Sequence, residues 1–171
     1  MLKKIKQKKL KKIITKNLTN RDISQRNKKI KTLGFLIDES LQINDEELYN
    51  FSKEFNLQYK DIKIFKYIQL KKKVPTLQDN QVSNKDFSWN GTLKNVSAQE
   101  FLNRNFDMLV VLQKDKNVYI DYMVSQSKAK FKVGLTPVNI ALFDLIIQLK
   151  PTQLELFKTE LEKYLTALNK L

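Results

Sequence analysis

Two runs of the chain, "TLGFLID" at residues 32 to 38 and "FDMLVVLQ" at residues 106 to 113, are apolar at nearly every interior position. A strand with one wet face alternates apolar and polar residues. An unbroken apolar run of this length belongs to a strand covered on both faces, as in a parallel sheet between helices. Residues 61 to 68, "DIKIFKYI", set Ile62, Ile64 and Ile68 on one face and Phe65 and Tyr67 on the other, a second strand. "KFKVGL" reads as a strand ending at Gly134 and Pro137, with Lys130 and Lys132 alternating against Phe131 and Val133 as on a half-exposed strand. "LFDLIIQLK" repeats the order of "FDMLVVLQK", an aromatic, an aspartate and a branched apolar run, and suggests a strand in similar surroundings.

Helical patterns fall between these runs. Asn44 can cap "NDEELYNFSKEF", with Glu47 three residues on, and Leu48, Phe51 and Phe55 then share one face. Ser97 and Glu100 have capping-box spacing ahead of a short helix, and "NVYIDYMVSQSKA" reads as another. Thr152 and Glu155 have the same spacing after Pro151, and Leu154, Phe157, Leu161, Leu165 and Leu168 form the stripe of a last helix. Gln69 to Lys94 is irregular: it holds Lys71-Lys72-Lys73, Pro75, Trp89 and Asn90-Gly91, and reads as a loop with a short edge strand around "FSW".

Strands alternating with helices predict an α/β fold, a Rossmann-like open, mostly parallel sheet with helices on both faces, preceded by a basic N-terminal helix. The 171 residues suit one domain, able to bury roughly 70% of its unfolded surface. Residues 1–31 are set apart as a basic helical arm and linker, and residues 32–171 as a single α/β domain.

Charge makes that division. Of 32 Lys and Arg, thirteen lie in residues 1–31 against one acid, Asp22, so +12 of the net +14 sits there. The thirteen are Lys3, Lys4, Lys6, Lys8, Lys9, Lys11, Lys12, Lys16, Arg21, Arg26, Lys28, Lys29 and Lys31. Alone in water such a helix is marginal, because nucleation is costly and like charges at i,i+4 repel. A polyanion or an apolar surface would stabilise it. Three partners fit. RNA or the ribosome is favoured, its phosphates exchanging counterions for lysines. An anionic membrane surface could take Leu2, Ile5, Leu10, Ile13, Ile14 and Leu18 into its interface. A protein surface, the domain's own or a partner's, could pack the same stripe and leave the lysines solvated.

The chain has no Cys and no His. That excludes disulfides, thiolate or imidazole zinc sites, and Cys–His or Ser–His–Asp catalysis. No apolar run is long enough to span a bilayer, and the charged N-terminus is unlike a secretory signal. A cytoplasmic location is expected, with the inner face of the cytoplasmic membrane as the alternative. The three sequons, at Asn17, Asn90 and Asn95, are then chance matches.

"FDMLVVLQKDKNVYIDYMVSQSKAKFKVGL" resembles the strand–helix–strand unit in the N-terminal half of heptosyltransferase-type glycosyltransferases. The resemblance implies a Rossmann-like half-fold. Transferase activity would also need a second domain to hold the nucleotide sugar, and this sequence supplies none. Over its whole length the chain is similar to a group of short, basic Bacteroidota proteins of unknown function. They are alike in the basic N-terminus, the "GFLIDE" strand, "QSKAKFKVG" and the C-terminal helix, a resemblance that implies a domain layout without a mechanism.

In an open α/β sheet, ligands bind beyond the carboxyl ends of the strands. The residues expected there are Asp38, Glu39, Ser40, Gln113, Lys114, Asp115, Gly134 and Thr136. Asp38 and Asp115 could share a cation or a sugar hydroxyl, as in a small transferase-like enzyme, or could cap helices and face solvent. The dinucleotide glycine fingerprint, the P-loop and a D-x-D motif are all missing, and no cofactor or metal is expected. Ser125, Ser127, Lys128, Lys130 and Lys132 form either a small anion site or a helix end followed by a strand. Trp89, with Phe87 nearby, is either a stacking platform for a base or sugar or a covering residue of the core. The favoured reading is a non-catalytic polyanion-binding protein.

Overall fold

The computed structural model describes residues 1–72 and 76–171. Lys73 and Pro75, within the stretch read as a loop, lie outside the described residues. In chain order the elements are α1 (Leu2–Thr19), β1 (Leu33–Asp38), α2 (Asp45–Tyr49), α3 (Phe51–Glu54), β2 (Ile62–Ile68), β3 (Gln81–Ser83), α4 (Val96–Asn103), β4 (Met108–Leu112), α5 (Val118–Gln126), β5 (Phe131–Leu135), β6 (Leu145–Ile147) and α6 (Leu154–Ala167). The six strands form one parallel sheet in the order β3-β2-β1-β4-β5-β6. This is the Rossmann-like arrangement expected, with the strand order reversing between β1 and β4.

Strand parity divides the core into two layers. Leu33, Phe35, Ile37, Ile62, Ile64, Met108, Val110 and Leu112 face α2, α3 and α6, meeting Leu48, Phe51, Phe157 and Leu161. Leu36, Phe65, Tyr67, Leu109 and Val111 face α4 and α5, meeting Phe101, Leu102, Ile120 and Met123. The α6 stripe is buried from Leu154 to Leu165, but Leu168 is exposed, because it stands past the last helical turn.

Local punctuation differs from the sequence reading at three places. Asn95, two residues before Ser97, caps α4 by accepting from the Ala98 N–H. An Asn side chain caps as well as a Ser, and the earlier residue takes the position. Gln153 occupies the N-cap of α6 without a side-chain bond, so the Thr152/Glu155 box does not form. The edge strand is Gln81–Ser83, paired to β2, whereas Phe87 makes only an isolated bridge to Leu93.

Helix α1 lies against α5, and its Leu10 and Ile14 are buried in the same layer as Phe87, Leu93 and Tyr122. Burying two such side chains contributes roughly 1.5–3 kcal/mol each. The seat is the turn "SWNGT". Gly91 there has φ +88, and a Cβ on it would stand 2.5 Å from Ile13 Cδ1 and 3.3 Å from Lys9 Cγ. Gly91→Ala is therefore expected to lower unfolding free energy by about 1–3 kcal/mol, because it combines a strained φ with a clash. Urea denaturation measures this, and a loss near zero would mean that α1 is not seated on the turn.

The linker after α1 is tied to the far end of the chain. The Lys170 ammonium is buried, donates to the carbonyls of Arg26 and Lys28, and lies 4.3 Å over the Phe131 ring. Ile30 N–H donates to the Lys170 carbonyl at 2.9 Å. Residues set apart by charge thus share contacts with the domain at both ends of the arm.

Candidate functional site

At the switch point between β1 and β4, Asp38 Oδ1 accepts from Ser40 N at 3.0 Å and Ser40 Oγ at 2.7 Å. Its Oδ2 faces the Lys114 N–H at 3.5 Å. Asp38 therefore caps its own turn and leans toward the neighbouring loop. Glu39 stands 3.7 Å from Lys66, which Asp45 also pairs at 2.9 Å. Gln113 is buried and donates to the Pro137 carbonyl at 3.4 Å, while its Oε1 has no partner among the described residues. Asp115 and Thr136 are exposed. Neither Asp38 nor Asp115 lines any of the three clefts described below. Among the described residues no group of three or more carboxylates is placed to hold a metal ion.

The segment "SQSKAK" borders a cleft of about 670 Å³ at the amino ends of the strands, the end opposite the switch point. Its groups are mostly engaged. Ser125 Oγ donates to the Tyr122 carbonyl and accepts from Asn17, and Ser127 Oγ accepts from Ala129 N–H. Lys130 pairs with Asp107 at 2.6 Å. Burial would raise the Asp107 carboxyl, but that ammonium, the Lys31 N–H and the Thr32 hydroxyl outweigh it and hold it below its ordinary range.

Lys132 departs most from the sequence reading. The half-exposed alternation places it outside, yet it is 1% exposed and donates to the Val124 carbonyl at 2.6 Å. Burial pushes its ammonium down to about 7, and the nearby Arg21 adds to the shift while Asp144 opposes it. Asp144 accepts from the two terminal nitrogens of the Arg21 guanidinium, at 3.2 and 2.6 Å, and from Lys132 N–H at 2.8 Å. Arg21 is therefore held in an ion pair inside the molecule.

The remaining cations of the N-terminal segment divide by environment. Lys6 is half-buried, donates to the Asn84 carbonyl at 2.7 Å and stands 5.3 Å from the Tyr119 ring centroid. Burial lowers its pKa, with Lys85 adding repulsion and Asp86 partly countering it. Lys29 donates to a terminal oxygen of Leu171 at 2.7 Å. Arg26, Lys28 and Lys31 are exposed on the linker. Lys3, Lys4, Lys8, Lys9, Lys11, Lys12 and Lys16 are exposed on α1, and among the described residues none makes an ion pair.

On that helix Lys4, Lys8, Lys12 and Lys16 recur every four residues, so they form one row on the face away from Leu10 and Ile14. At 1.5 Å per residue the steps are roughly 6 Å apart. Each like-charged i,i+4 pair costs about 0.2–0.5 kcal/mol, and α1 begins without an acid in its first turn or a side-chain cap. The row therefore does nothing for the helix itself.

Two further clefts border α1 at the carboxyl side of the sheet. One, about 700 Å³, is lined by Lys11 and Thr15 of α1, Lys116 and Asn117 before α5, Asp121, and Asn139. Burial raises Asp121 to about 6, against the influence of Lys116 and Asn139. The other, about 620 Å³, lies beyond β2 and β3 and includes Trp89, Tyr119 and Lys6. Trp89 is 70% exposed, whereas Phe87 is core, packed on Tyr119 and Tyr122 at 5.0 and 5.5 Å between ring centroids.

The chain belongs to a family of unknown function (DUF6913), whose profile matches residues 6–168 and so takes in most of α1 together with the α/β body. No curated protein and no solved structure matches it.

Proposed function

We propose that this member of the family is a non-catalytic binding protein whose helix α1 engages a polyanion, with the phosphate backbone of RNA, free or in the ribosome, as the favoured partner. The observation that carries the reading is the row Lys4, Lys8, Lys12 and Lys16, exposed and without acidic partners among the described residues, on a helix held by Leu10 and Ile14. A helix already folded and seated gives up no backbone freedom on binding, and each phosphate its lysines neutralise releases counterions. Cytoplasmic placement goes with this reading. The membrane alternative draws less support, because Leu10 and Ile14 would have to leave the core before they could enter lipid. No helix of the described residues is long and apolar enough to cross a membrane. The enzyme alternative draws little, since Asp38 is engaged with Ser40 and Asp115 faces solvent.

The quadruple variant Lys4→Gln, Lys8→Gln, Lys12→Gln, Lys16→Gln is expected to fold normally and to bind RNA on the order of 100-fold more weakly at moderate salt. Anisotropy of a labelled RNA oligomer measures this. Equal affinity of variant and wild type would overturn the role of the row.

A further inference from the structure

The cleft beyond β2 and β3 brings together what a single-stranded nucleic acid requires. Its floor is rigid: Asn84 Oδ1 accepts from Leu70 N–H at 2.7 Å and Asn84 Nδ2 donates to the Leu70 carbonyl at 3.1 Å, clamping the two strand exits together. Lys6 closes one side by donating to the Asn84 carbonyl. Lys3, Lys6, Lys71 and Lys85 line it with Trp89 and Tyr119, and no carboxylate does so among the described residues. The acid acting on Lys6, Asp86, is turned to Ser83, accepting from its N–H at 2.7 Å and its hydroxyl at 2.9 Å.

Trp89 is the only tryptophan of the chain. It projects from a turn closed by Gly91 N–H to the Ser88 carbonyl at 3.1 Å and Ser88 N–H to the Thr92 carbonyl at 2.9 Å. Gly91 of the same turn packs under Ile13 of α1. The indole is therefore presented to solvent on a fixed support, in the lining of the cleft. A large exposed apolar ring beside several cations that make no ion pair among the described residues suits a partner that is aromatic on one part and anionic on the next.

We propose that this cleft takes an unpaired nucleotide of single-stranded RNA, its base stacked on Trp89 and its phosphates near Lys3, Lys6, Lys71 and Lys85. The inference rests on the reading of α1 as a polyanion-binding helix and adds base stacking to it. Lys3 and Lys6 line the cleft from the Leu10 and Ile14 side of α1, whereas Lys4 opens the row about 100° further round the helix, so the cleft and the row are separate contacts. Stacking tolerates any base, because every base has a π-face, so the site selects strandedness over sequence. A duplex keeps its bases inside and can contact only the lysines.

The test uses the full chain with a mixed-sequence RNA 12-mer, the same strand paired to its complement, and vesicles of anionic lipid. The single strand is expected to quench Trp89 emission and the duplex to leave it nearly unchanged. By anisotropy, Trp89→Leu should weaken binding of the single strand about tenfold or more and of the duplex by less than about twofold. Because the indole is exposed, this variant should fold as the wild type does. Binding of both RNAs with no quenching, or equal losses for both in Trp89→Leu, would overturn the stacking site and leave the polyanion reading standing. Failure to bind either RNA would overturn both. A blue shift of Trp89 on anionic vesicles without quenching by RNA would assign the cleft to a lipid surface and overturn the proposal.

Discussion

Asp144→Ala is expected to lower the unfolding free energy by roughly 3–5 kcal/mol, among the largest effects of any single substitution in this chain. The Asp144 side chain is 6% exposed and is the only acid paired with Arg21 among the described residues. Removing it leaves a guanidinium largely out of water, removes the acceptor of the Lys132 N–H, and frees the linker after α1 from the loop before β6. Replacing both partners by apolar residues should cost much less, because no charge is then stranded. Urea denaturation of Asp144→Ala beside the double variant Arg21→Met, Asp144→Leu measures the difference. A loss below about 1 kcal/mol for Asp144→Ala would mean that the guanidinium reaches solvent.

Lys132→Met is expected to remove a pH dependence that the wild type carries. In the unfolded chain the ammonium has its ordinary pKa near ~10.4, and in the fold burial holds it down to about 7. Between those values the unfolded chain binds a proton that the folded chain does not, so stability rises with pH through that window and falls as pH drops toward about 7. Below it both states are charged and this contribution is flat. From about pH 7 to pH 9.5 the group should add up to about 3 kcal/mol to the wild type and nothing to the variant. Methionine fills a similar volume but leaves the Val124 carbonyl, near the end of α5, without its donor, at a cost of about 1 kcal/mol that does not vary with pH. Parallel stability curves for the two proteins across this range would show that Lys132 remains charged in the fold.

The sheet was legible because burial on both faces writes itself into short runs. β1 and β4 are apolar at consecutive positions, and the parity of Ile62 and Ile64 against Phe65 and Tyr67 returns as the two layers of the core. β3 was missed: Gln81-Val82-Ser83 is a strand because β2 offers it hydrogen bonds, and its own composition shows little sign of that. Lys132 was misplaced for a related reason. Its alternation with Phe131 and Val133 looks half-exposed, and what permits its burial is a carbonyl on α5. Arg21 likewise looked like one more cation of the basic segment until the fold brought Asp144, 123 positions away, against it. The lysine row was written in the sequence, but the surface that orients it was not, since Gly91 and Leu93 come from a distant turn. Exposure of Trp89 was equally open, as local pattern does not separate a covering indole from a presented one.

The salt dependence of RNA binding tests the central claim most directly. If the α1 row holds phosphates, the logarithm of the association constant for single-stranded RNA should fall linearly with the logarithm of salt concentration. The slope should be about 3 units shallower in the Lys4, Lys8, Lys12 and Lys16 to Gln variant than in the wild type, at roughly 0.7 per phosphate released. Equal slopes for the two proteins, or an affinity that salt does not change, would contradict it.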